Sequence, residues 1–384
     1  MKYILLFFVL QLMGCGTTIP FVMKGDVEAT DWKTIYLYRI ENEYYRQMKV
    51  IDSAEVCDGH FRFERAELPS GLYFLGNKEE GGKVFLEPGQ IKVKGVLSRK
   101  KNVDDEIEEL KWKVEGCEAH QLYVAYLSDR YEKTGQRQLD SLDELFFAAR
   151  EKEDSEEMAR IKEASIRPYE RADSINIELV KQLVETNYHS PFAIYLYAKN
   201  LFSQQEFHDT LTIRKTVAYI NNTFGEKARN SVYYDRLIKK LNKADRCAIG
   251  RLAIEIIGLD TLGKELKLSD LRGKYVLVDF WNSYCHWCRE ESPNMRRALA
   301  ECGDRFTILG VSNDTQKNLW MDAIHLDRAY WNHILLDQKV SDSLFDDYCI
   351  SGIPHIILVN PEGIIVAKEI RGENIITVPK AFIL

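Results

Sequence analysis

The chain has 384 residues, of which 45% are hydrophobic and 29% are charged, and its formal net charge at pH 7 is −7. This length is sufficient for two or three domains with ordinary hydrophobic cores. The negative net charge gives no electrostatic support for binding to nucleic acid, so we predict no nucleic-acid partner.

The first fourteen residues differ in character from the rest of the chain. Lys2 precedes an apolar stretch over residues 3–12, which is too short to span a membrane as a mature helix. The stretch ends at Gly14 and Cys15, an arrangement that resembles a bacterial lipobox. We therefore predict a signal peptide at residues 1–14, a lipid anchor at Cys15 and a periplasmic location on a bacterial membrane. An ordinary secretory signal is the alternative.

Residues 15–103 have the pattern of short β-strands. Segments rich in β-branched and aromatic residues, or alternating between apolar and polar residues, occur at 34–40, 60–64, 72–75, 84–86 and 91–93. Short strands at nearly regular spacing predict an antiparallel β-sandwich. No catalytic constellation is evident in this part of the chain.

Residues 104–245 change to a helical pattern. In the charged segment 140–162, apolar residues such as Leu142, Leu145 and Phe146 recur at helical spacing. Ser190 and Pro191 mark the start of another helix. We expect that helix to pack through Phe192, Ile194, Tyr195 and Leu196. The middle of the chain is therefore predicted to be a helical region.

Residues 246–384 alternate between strand and helix patterns. Strands are predicted at 275–281 and 306–311, with helices from about Cys285 to Cys302 and from about 316 to 329. Two further strands, at 355–359 and 364–367, are joined by a tight turn at 360–363. A βαβ unit followed by a β-hairpin predicts an α/β domain with a thioredoxin-like layout.

Cys285 and Cys288 follow the first of these strands directly and are separated by two residues. At this spacing the first thiol can attack a foreign disulfide, and the second can resolve the mixed disulfide that results. A CxxC pair can also bind zinc, but a zinc site needs further ligands, and the sequence contains no second CxxC and no HxxxH motif. We therefore predict a redox pair with no metal and no cofactor.

Residues 248–384 resemble the membrane-anchored thioredoxin-like disulfide reductases of the TlpA/ResA type, within the AhpC/TSA thioredoxin superfamily. The features that match are Val278-Asp279-Phe280-Trp281, the Cys285/Cys288 pair with Glu291 and Pro293 in a CxxCxxExP arrangement, Gly352-Ile353-Pro354, and Trp331 upstream of Leu335-Leu336-Asp337. Residues 20–115 resemble, through their strand pattern and Ile51-Asp52-Ser53-Ala54, a β domain of unknown function that is often fused in front of such modules.

The resemblance implies a role for each matching residue. Cys285 is the attacking thiol at a helix N-terminus, and Cys288 is the more buried resolving thiol. Asp279 is expected behind the cysteines, where burial raises its pKa so that it serves as their base. Glu291 is a second candidate base, with an exposed helix acid as the alternative.

The substrate side of the site is also implied by the resemblance. Pro354 is expected to form a cis peptide bond and to face the cysteines, with Ile353 lining the contact with an extended substrate strand. We expect Trp281, His286 and Trp287 to contribute to substrate binding. When protonated, His286 also lowers the pKa of the Cys285 thiol.

Two departures from the family pattern leave the direction of electron flow open. The dipeptide between the cysteines is His286-Trp287, and Tyr284 replaces the tryptophan commonly found before the first cysteine. CxxC proteins span reduction potentials of roughly −270 to −120 mV. Glu291 and the lipoprotein setting favour a reductase, which needs a protein disulfide as substrate and a membrane redox partner as electron donor. A disulfide oxidase or isomerase remains an alternative.

Two further alternatives come from other classes. A peroxiredoxin-like peroxidase needs Thr three residues before its reactive cysteine, and Asn282 occupies that place here. A lipoprotein interaction module with an idle redox domain would explain the two N-terminal segments.

The remaining cysteines after Cys15 and the CxxC pair are Cys57, Cys117, Cys247, Cys302 and Cys349. Their odd number and their scatter do not indicate a disulfide framework. We expect them to be small buried hydrophobic residues. Cys349, five residues before Pro354, is also a candidate for a redox role.

Overall fold

A computed structural model describes residues 19–27, 32–42, 47–77, 80–101, 106–204 and 207–383. The predicted signal peptide and the lipidation site at Cys15 lie outside the described residues. None of the helices in these ranges combines the length and the apolar character that a membrane crossing requires.

The described residues cluster into two compact units. The first contains residues up to 203 and residues 224–235, and the second contains residues 204–223 and 236–384. Residues 204–223 and 236–245, which were predicted to lie in the helical region, therefore belong to the second unit.

The first unit contains two four-stranded sheets. Its strands are β1 (Phe21–Val27), β2 (Thr34–Asn42), β3 (Gln47–Glu55), β4 (His60–Arg65), β5 (Gly71–Gly76), β6 (Gly81–Leu86), β7 (Gly89–Lys101) and β8 (Glu106–Glu115). One sheet has the order β4-β1-β7-β8 and the other has the order β3-β2-β5-β6. The described strands thus continue to Glu115, past the boundary that was predicted at residue 103.

One strand pair corrects the prediction of a purely antiparallel arrangement. β1 and β7 are parallel, whereas the other neighbours in both sheets are antiparallel. Strands β2 to β6 lie between β1 and β7 in the sequence. Two neighbouring parallel strands require a long connection of this kind. A strand pattern in the sequence carries no information about this pairing.

Strands β1 and β4 each bury one face. In β1, Phe21 and Met23 are buried while Lys24 and Asp26 are exposed, which is the alternation of a strand with one face in the core. The indole Nε1 of Trp112 on β8 donates a 2.9 Å hydrogen bond to the carbonyl oxygen of Leu75 on β5. A side chain of one sheet therefore contacts the backbone of the other.

Helices follow the strands in the described part of the chain. They are α1 (Glu118–Lys133), α2 (Gln136–Glu151), α3 (Ser155–Thr186), α4 (Pro191–Leu196), α5 (Thr210–Thr223), α6 (Glu226–Arg229) and α7 (Val232–Arg246). Ser190 caps α4, and the predicted packing residues of that helix, Phe192, Ile194, Tyr195 and Leu196, are all buried. In α2, by contrast, Leu145 is 57% exposed, so the predicted apolar stripe is only partly buried.

The second unit has the predicted thioredoxin-like α/β layout. Its remaining elements are β9 (Ile257–Leu259), β10 (Glu265–Lys267), β11 (Tyr275–Trp281), α8 (His286–Glu290), α9 (Ser292–Cys302), β12 (Phe306–Ser312), α10 (Lys317–Leu326), β13 (Asn332–Leu335), α11 (Gln338–Asp347), β14 (His355–Val359), β15 (Ile365–Lys368) and α12 (Asn374–Ile383). The sheet order is β10-β9-β13-β12-β11-β14-β15, with β11, β12 and β13 parallel. The predicted long helix after Cys285 is divided into α8 and α9.

The central strand β11 is buried on both faces. Val276, Val278 and Phe280 belong to one hydrophobic cluster, and Leu277 and Trp281 belong to clusters on the opposite face. Because side chains alternate along a strand, Asp279 shares the second face with Leu277 and Trp281. The strand therefore places one carboxyl group inside the core, immediately before the CxxC segment.

Gly310 on β12 pairs with Asp279 of β11 and with His333 of β13. A Cβ atom at this position would lie 2.4 Å from His333 Nδ1 and 3.0 Å from Trp281 Nε1. We expect Gly310→Ala to lower the free energy of unfolding by about 1–3 kcal/mol, because overpacking forces buried side chains out of their positions. Urea unfolding measures the change. Gly352→Ala is the control, since a Cβ there meets nothing within 4 Å, and equal stability of the two variants would contradict this packing.

Candidate active site

The CxxC pair lies at the start of a helix that follows the central strand. Cys285 is the N-cap of α8, and its sulfur accepts a 3.1 Å hydrogen bond from the backbone N–H of Cys288. The two sulfurs are joined in a disulfide. After reduction, the N–H groups at this helix start stabilise negative charge on the Cys285 sulfur.

The two cysteines differ in exposure. Cys288 is buried at 3% relative exposure, whereas Cys285 is half-buried. Tyr284 and Trp287 are exposed around them, at 64% and 69%. Cys285 is therefore the more accessible of the two sulfurs to a molecule in solution.

His286 is exposed beside the pair and forms an ion pair on its own helix. Its Nε2 lies 3.1 Å from Glu290 Oε1, one helical turn away. The carboxylate of Glu290 partly offsets the positive charge that a protonated His286 brings to Cys285. This local compensation was not predictable from residue type alone.

Asp279 is the buried acid of the site. It is 4% exposed, and its Oδ1 has no hydrogen-bond partner among the described residues. Burial raises its pKa to about 8; the positive charge of Arg371 opposes this shift, and the negative charge of Glu291 adds to it. A carboxyl group with this pKa exchanges protons in the same pH range as a thiol.

Glu291 links the CxxC helix to the loop before α12. Its backbone N–H donates to the carbonyl oxygen of Cys288, at 3.2 Å. Its carboxylate accepts hydrogen bonds from the backbone N–H of Gly372, at 3.0 and 3.1 Å, and from Asn294 Nδ2, at 3.0 Å. The carboxylate is thus held by three contacts with two donors rather than exposed on a helix surface.

The Ile353–Pro354 peptide bond is cis, in agreement with the sequence prediction. Ile353 packs against the cluster that contains Cys288 and Trp281, together with Cys285 at its edge. Pro354 is buried, and Arg371 donates a hydrogen bond to its carbonyl oxygen. The structure thus brings the cis-proline segment and the CxxC pair together.

Trp281 lies beneath the cysteines. It is 5% exposed and shares a cluster with Cys288 and Trp320, and its ring lies 5.6 Å from that of His333. Little of its surface is therefore available to a substrate. Burial lowers the pKa of His333 to about 4, so the ring is neutral at pH 7.

Asp314, which was not predicted from the sequence as a site residue, anchors the loop in front of the cysteines. Asp314 is 6% exposed and accepts hydrogen bonds from the Ser283 N–H at 2.9 Å, the Ser283 hydroxyl at 2.5 Å and the Ser312 hydroxyl at 2.7 Å. Asp314 follows β12, which is parallel to β11, so the carboxyl ends of both strands meet at one edge of the sheet. The polar residues that follow the predicted strand 306–311 were the sequence feature that could have indicated a site residue here.

We expect Asp314→Ala to lower the free energy of unfolding by about 1–3 kcal/mol, because it leaves the N–H of Ser283 and the buried hydroxyl of Ser312 without their acceptor. Urea unfolding of the oxidised protein measures the change. Asp304→Ala is the matched control, since Asp304 is exposed. An Asp314→Ala variant as stable as that control would show that this network does not hold the loop.

A second anchor holds α8 from the other side. Arg289 donates two hydrogen bonds to the carboxylate of Asp327, at 2.7 and 2.8 Å, and Asp327 follows the end of α10. Paired bonds of this kind fix orientation as well as distance. The CxxC segment is therefore attached both to the end of β12 and to the end of α10.

Two family models match the chain. Residues 249–368 match the AhpC/TSA family, and residues 21–123 match a domain of unknown function designated DUF4369. The thiol-disulfide oxidoreductase ResA of Bacillus subtilis (strain 168) is 30% identical over 114 residues, which are 29% of this chain and 62% of that relative. The chain thus spans less than two thirds of this relative's length.

Two solved structures with similar sequences come from Bacteroides species. The thioredoxin domain of a thiol-disulfide oxidoreductase from Bacteroides vulgatus is 45% identical, with 36% of this chain and 99% of that domain covered and a TM-score of 0.35. A thiol-disulfide oxidoreductase from Bacteroides fragilis is 28% identical, with 34% and 99% covered and a TM-score of 0.33.

The C-terminal domain therefore resembles TlpA/ResA-like thioredoxin-fold thiol-disulfide oxidoreductases of the AhpC/TSA family, and the segment that matches DUF4369 precedes it.

Proposed function

We propose that this protein is a membrane-anchored thiol-disulfide oxidoreductase that reduces disulfides in extracytoplasmic proteins through Cys285 and Cys288. The observation that carries the proposal is the unequal exposure of two joined sulfurs at a helix start, with a buried acid of raised pKa on the strand that precedes them. This arrangement supplies an attacking thiol, a resolving thiol and a proton acceptor.

The reaction begins from the reduced pair. The thiolate of Cys285 attacks one sulfur of the substrate disulfide, so that bond breaks and the leaving sulfur takes up a proton. Cys288 then gives its proton to ionised Asp279 and attacks the Cys285 sulfur. The mixed disulfide breaks, the second substrate sulfur leaves and takes up a proton from solvent, and the Cys285–Cys288 disulfide forms again. The substrate has then become a dithiol and has received two electrons.

Asp279 is proposed as the base of the resolving step, because its pKa of about 8 lies close to that of an ordinary thiol. Glu291 is proposed to tune Asp279, since the negative charge of its carboxylate contributes to the raised pKa. The hydrogen bonds that Glu291 accepts favour this electrostatic role over direct proton transfer.

A protein substrate is proposed to bind as an extended strand along Ile353 and Pro354. Ile353 packs next to the cysteines, and exposed His286 and Trp287 provide further contact surface. We propose that Trp281 supports this surface from below, because it is largely buried. The two contacting sheets of the first unit are interpreted as the predicted β-sandwich.

The reductive direction requires a supply of electrons, which we propose comes from a membrane redox partner. Lipidation at Cys15 would keep the protein on the periplasmic side of a bacterial membrane, close to such a partner. Replacing Cys15 with Ala and following the chain in membrane and soluble fractions tests the anchor. Retention of the Cys15→Ala chain in the membrane fraction would contradict it.

The direction of catalysis is tested with the chain from residue 16 in two assays. A reductase accelerates the reduction of insulin by dithiothreitol, and the Cys57→Ser control, which alters an exposed thiol of the other unit, leaves this rate unchanged. An oxidase or isomerase instead restores activity to reduced or scrambled ribonuclease faster than it reduces insulin. That second outcome would replace the reductase proposal.

A further inference from the structure

The sheet β4-β1-β7-β8 of the first unit has an exposed face that is mainly basic. On its other face Met23, Phe63, Val93 and Trp112 are buried, so the residues that alternate with them along the strands face solvent. The exposed basic side chains are Lys24, Arg62, Lys92, Lys94, Lys111 and Lys113. The exposed acidic side chains that the structure describes on these strands are Asp26, Glu64 and Glu115. This excess of positive charge contrasts with the net charge of −7 of the whole chain.

The strand register makes several of these basic residues direct neighbours. Lys24 on β1 pairs with Arg62 on β4 and with Lys92 on β7. Lys94 on β7 pairs with Lys113 on β8. Like charges directly opposite each other on antiparallel strands destabilise a sheet, and the Lys24–Arg62 and Lys94–Lys113 pairs are of this kind. An anionic partner explains such a face better than the stability of the sheet does.

Two of the acidic side chains are already engaged within the sheet. The Asp26 Oδ1 atom lies 2.7 Å from His60 Nδ1 on the neighbouring strand. The Glu64 carboxylate accepts a 2.7 Å hydrogen bond from Arg62 on its own strand. Neither carboxylate therefore pairs with a lysine of this face.

Three of the lysines keep their charge free. Lys24, Lys92 and Lys113 form no ion pair with any residue that the structure describes. Glu115 lies opposite Lys92 in the strand register, but these two side chains form no ion pair either. The three ammonium groups are thus available to an anion outside the protein.

The sequence places this face close to the proposed lipid anchor. Cys15 precedes Phe21, the first residue of β1, by six residues. A chain of that length spans at most about 20 Å, and Lys24 lies about 10 Å further along the strand. Lipidation of Cys15 therefore keeps Lys24 within about 30 Å of the membrane surface.

We propose that the basic face, defined by the six Lys and Arg residues named above, docks onto the anionic phospholipid headgroups of the membrane that carries the anchor. This inference rests on the proposed function, because it takes the anchor at Cys15 from it. Attraction between basic side chains and anionic lipids adds to the hydrophobic insertion of an acyl anchor. It also determines which face of the first unit is turned towards the bilayer, which an anchor on a short linker does not do alone.

The test uses the chain from residue 16, which lacks the lipidated cysteine, so that binding reports the basic face and not the anchor. The protein is sedimented with vesicles of phosphatidylglycerol and phosphatidylcholine, and separately with vesicles of phosphatidylcholine alone. We expect cosedimentation with the anionic vesicles at about 0.05 M salt and its loss at about 0.5 M salt, because salt screens exposed charges. The neutral vesicles should retain no protein.

A charge-neutral variant identifies the surface that binds. The triple substitution Lys24→Gln, Lys92→Gln and Lys113→Gln should weaken binding to anionic vesicles about tenfold or more. A control with the same change in net charge, which should bind like the unmodified chain, replaces exposed lysines of the helices, Lys152→Gln, Lys162→Gln and Lys181→Gln. The first variant should be at least as stable to urea as the control, because it removes like-charge neighbours.

Equal binding by the two variants would overturn the proposal, and so would failure of the unmodified chain to bind anionic vesicles. Self-association without vesicles that the first variant abolishes would assign the face to a second copy of the chain, which also overturns it. Insulin reduction is measured on the same preparations. Normal reduction without vesicle binding would reject the docking surface and leave the proposed reductase activity intact.

Discussion

Replacing Cys288 with Ala is expected to convert the transient complex with a disulfide-bonded protein substrate into a stable mixed disulfide. Cys285 remains able to attack, but no second sulfur is left to break the bond that it forms. Turnover of insulin should fall by about 10³-fold or more, since covalent catalysis requires both steps. Non-reducing electrophoresis of Cys288→Ala after incubation with oxidised insulin should show the linked species.

Cys285→Ala separates the roles of the two sulfurs. It should lose turnover to the same extent but trap no substrate, because the thiol that remains at position 288 is buried. Cys57→Ser, which changes an exposed thiol of the first unit, should keep full turnover. A mixed disulfide through Cys288 in the Cys285→Ala variant would reverse the proposed assignment of attacking and resolving thiols.

Asp279→Asn is expected to slow the resolving step by about 10²-fold at pH 7, the usual scale for loss of a positioned base. The pKa of Asp279 is about 8, so the ionised form that accepts a proton increases as the pH rises from 6 towards 8. The rate of resolution in the wild type should therefore rise over this range and level off above it. In Asp279→Asn this dependence should disappear, and stopped-flow Trp fluorescence after mixing with substrate follows the step.

The same substitution should make the oxidised protein more stable. Burial raises the pKa of Asp279 from 3.8 to about 8, so folding takes up a proton between these pH values, and the folded state loses stability as the pH rises through this window. The neutral amide removes this loss. We expect Asp279→Asn to gain roughly 3–5 kcal/mol at pH 7 and almost nothing at pH 4, since each pH unit corresponds to about 1.4 kcal/mol.

Urea unfolding at pH 4, 5, 6 and 7 measures this difference, with Asp304→Asn as the exposed control. A functional acid that is kept at a cost to stability loses activity and gains stability when it is replaced. Replacing an acid that only supports the structure does not give this combination. An Asp279→Asn variant that is active, or that has the stability of wild type at every pH, would remove Asp279 from the mechanism.

The candidate site was predictable from the sequence where chemistry depends on a local motif. The CxxC spacing, the acid on the preceding strand and the Ile353–Pro354 bond each consist of residue types whose meaning depends on a few neighbours. Strands β11, β12, β14 and β15 of the second unit were likewise predictable, because β11 is a continuous buried run and the others have clear apolar patterns, whereas β9, β10 and β13 were not predicted. These features can be recognised without knowing which distant segments contact one another.

The missing features depend on contacts between segments that are far apart in the sequence. Asp314 holds Ser283 across 31 residues, and Cys247 contacts the backbone of Tyr348 across 101 residues. The parallel pairing of β1 with β7 is of the same kind. Residue type alone does not identify these contacts, because the fold determines which distant segments become partners.

The most direct test of the central claim is the reduction potential of the Cys285–Cys288 pair. The chain from residue 16 is equilibrated in dithiothreitol or glutathione buffers, and the fluorescence of Trp281 and Trp287 reports its state. A reversible two-electron transition near or below about −250 mV is the predicted result. A transition above about −180 mV would assign the pair to oxidation or isomerisation instead. The absence of any two-electron transition would contradict a redox function altogether.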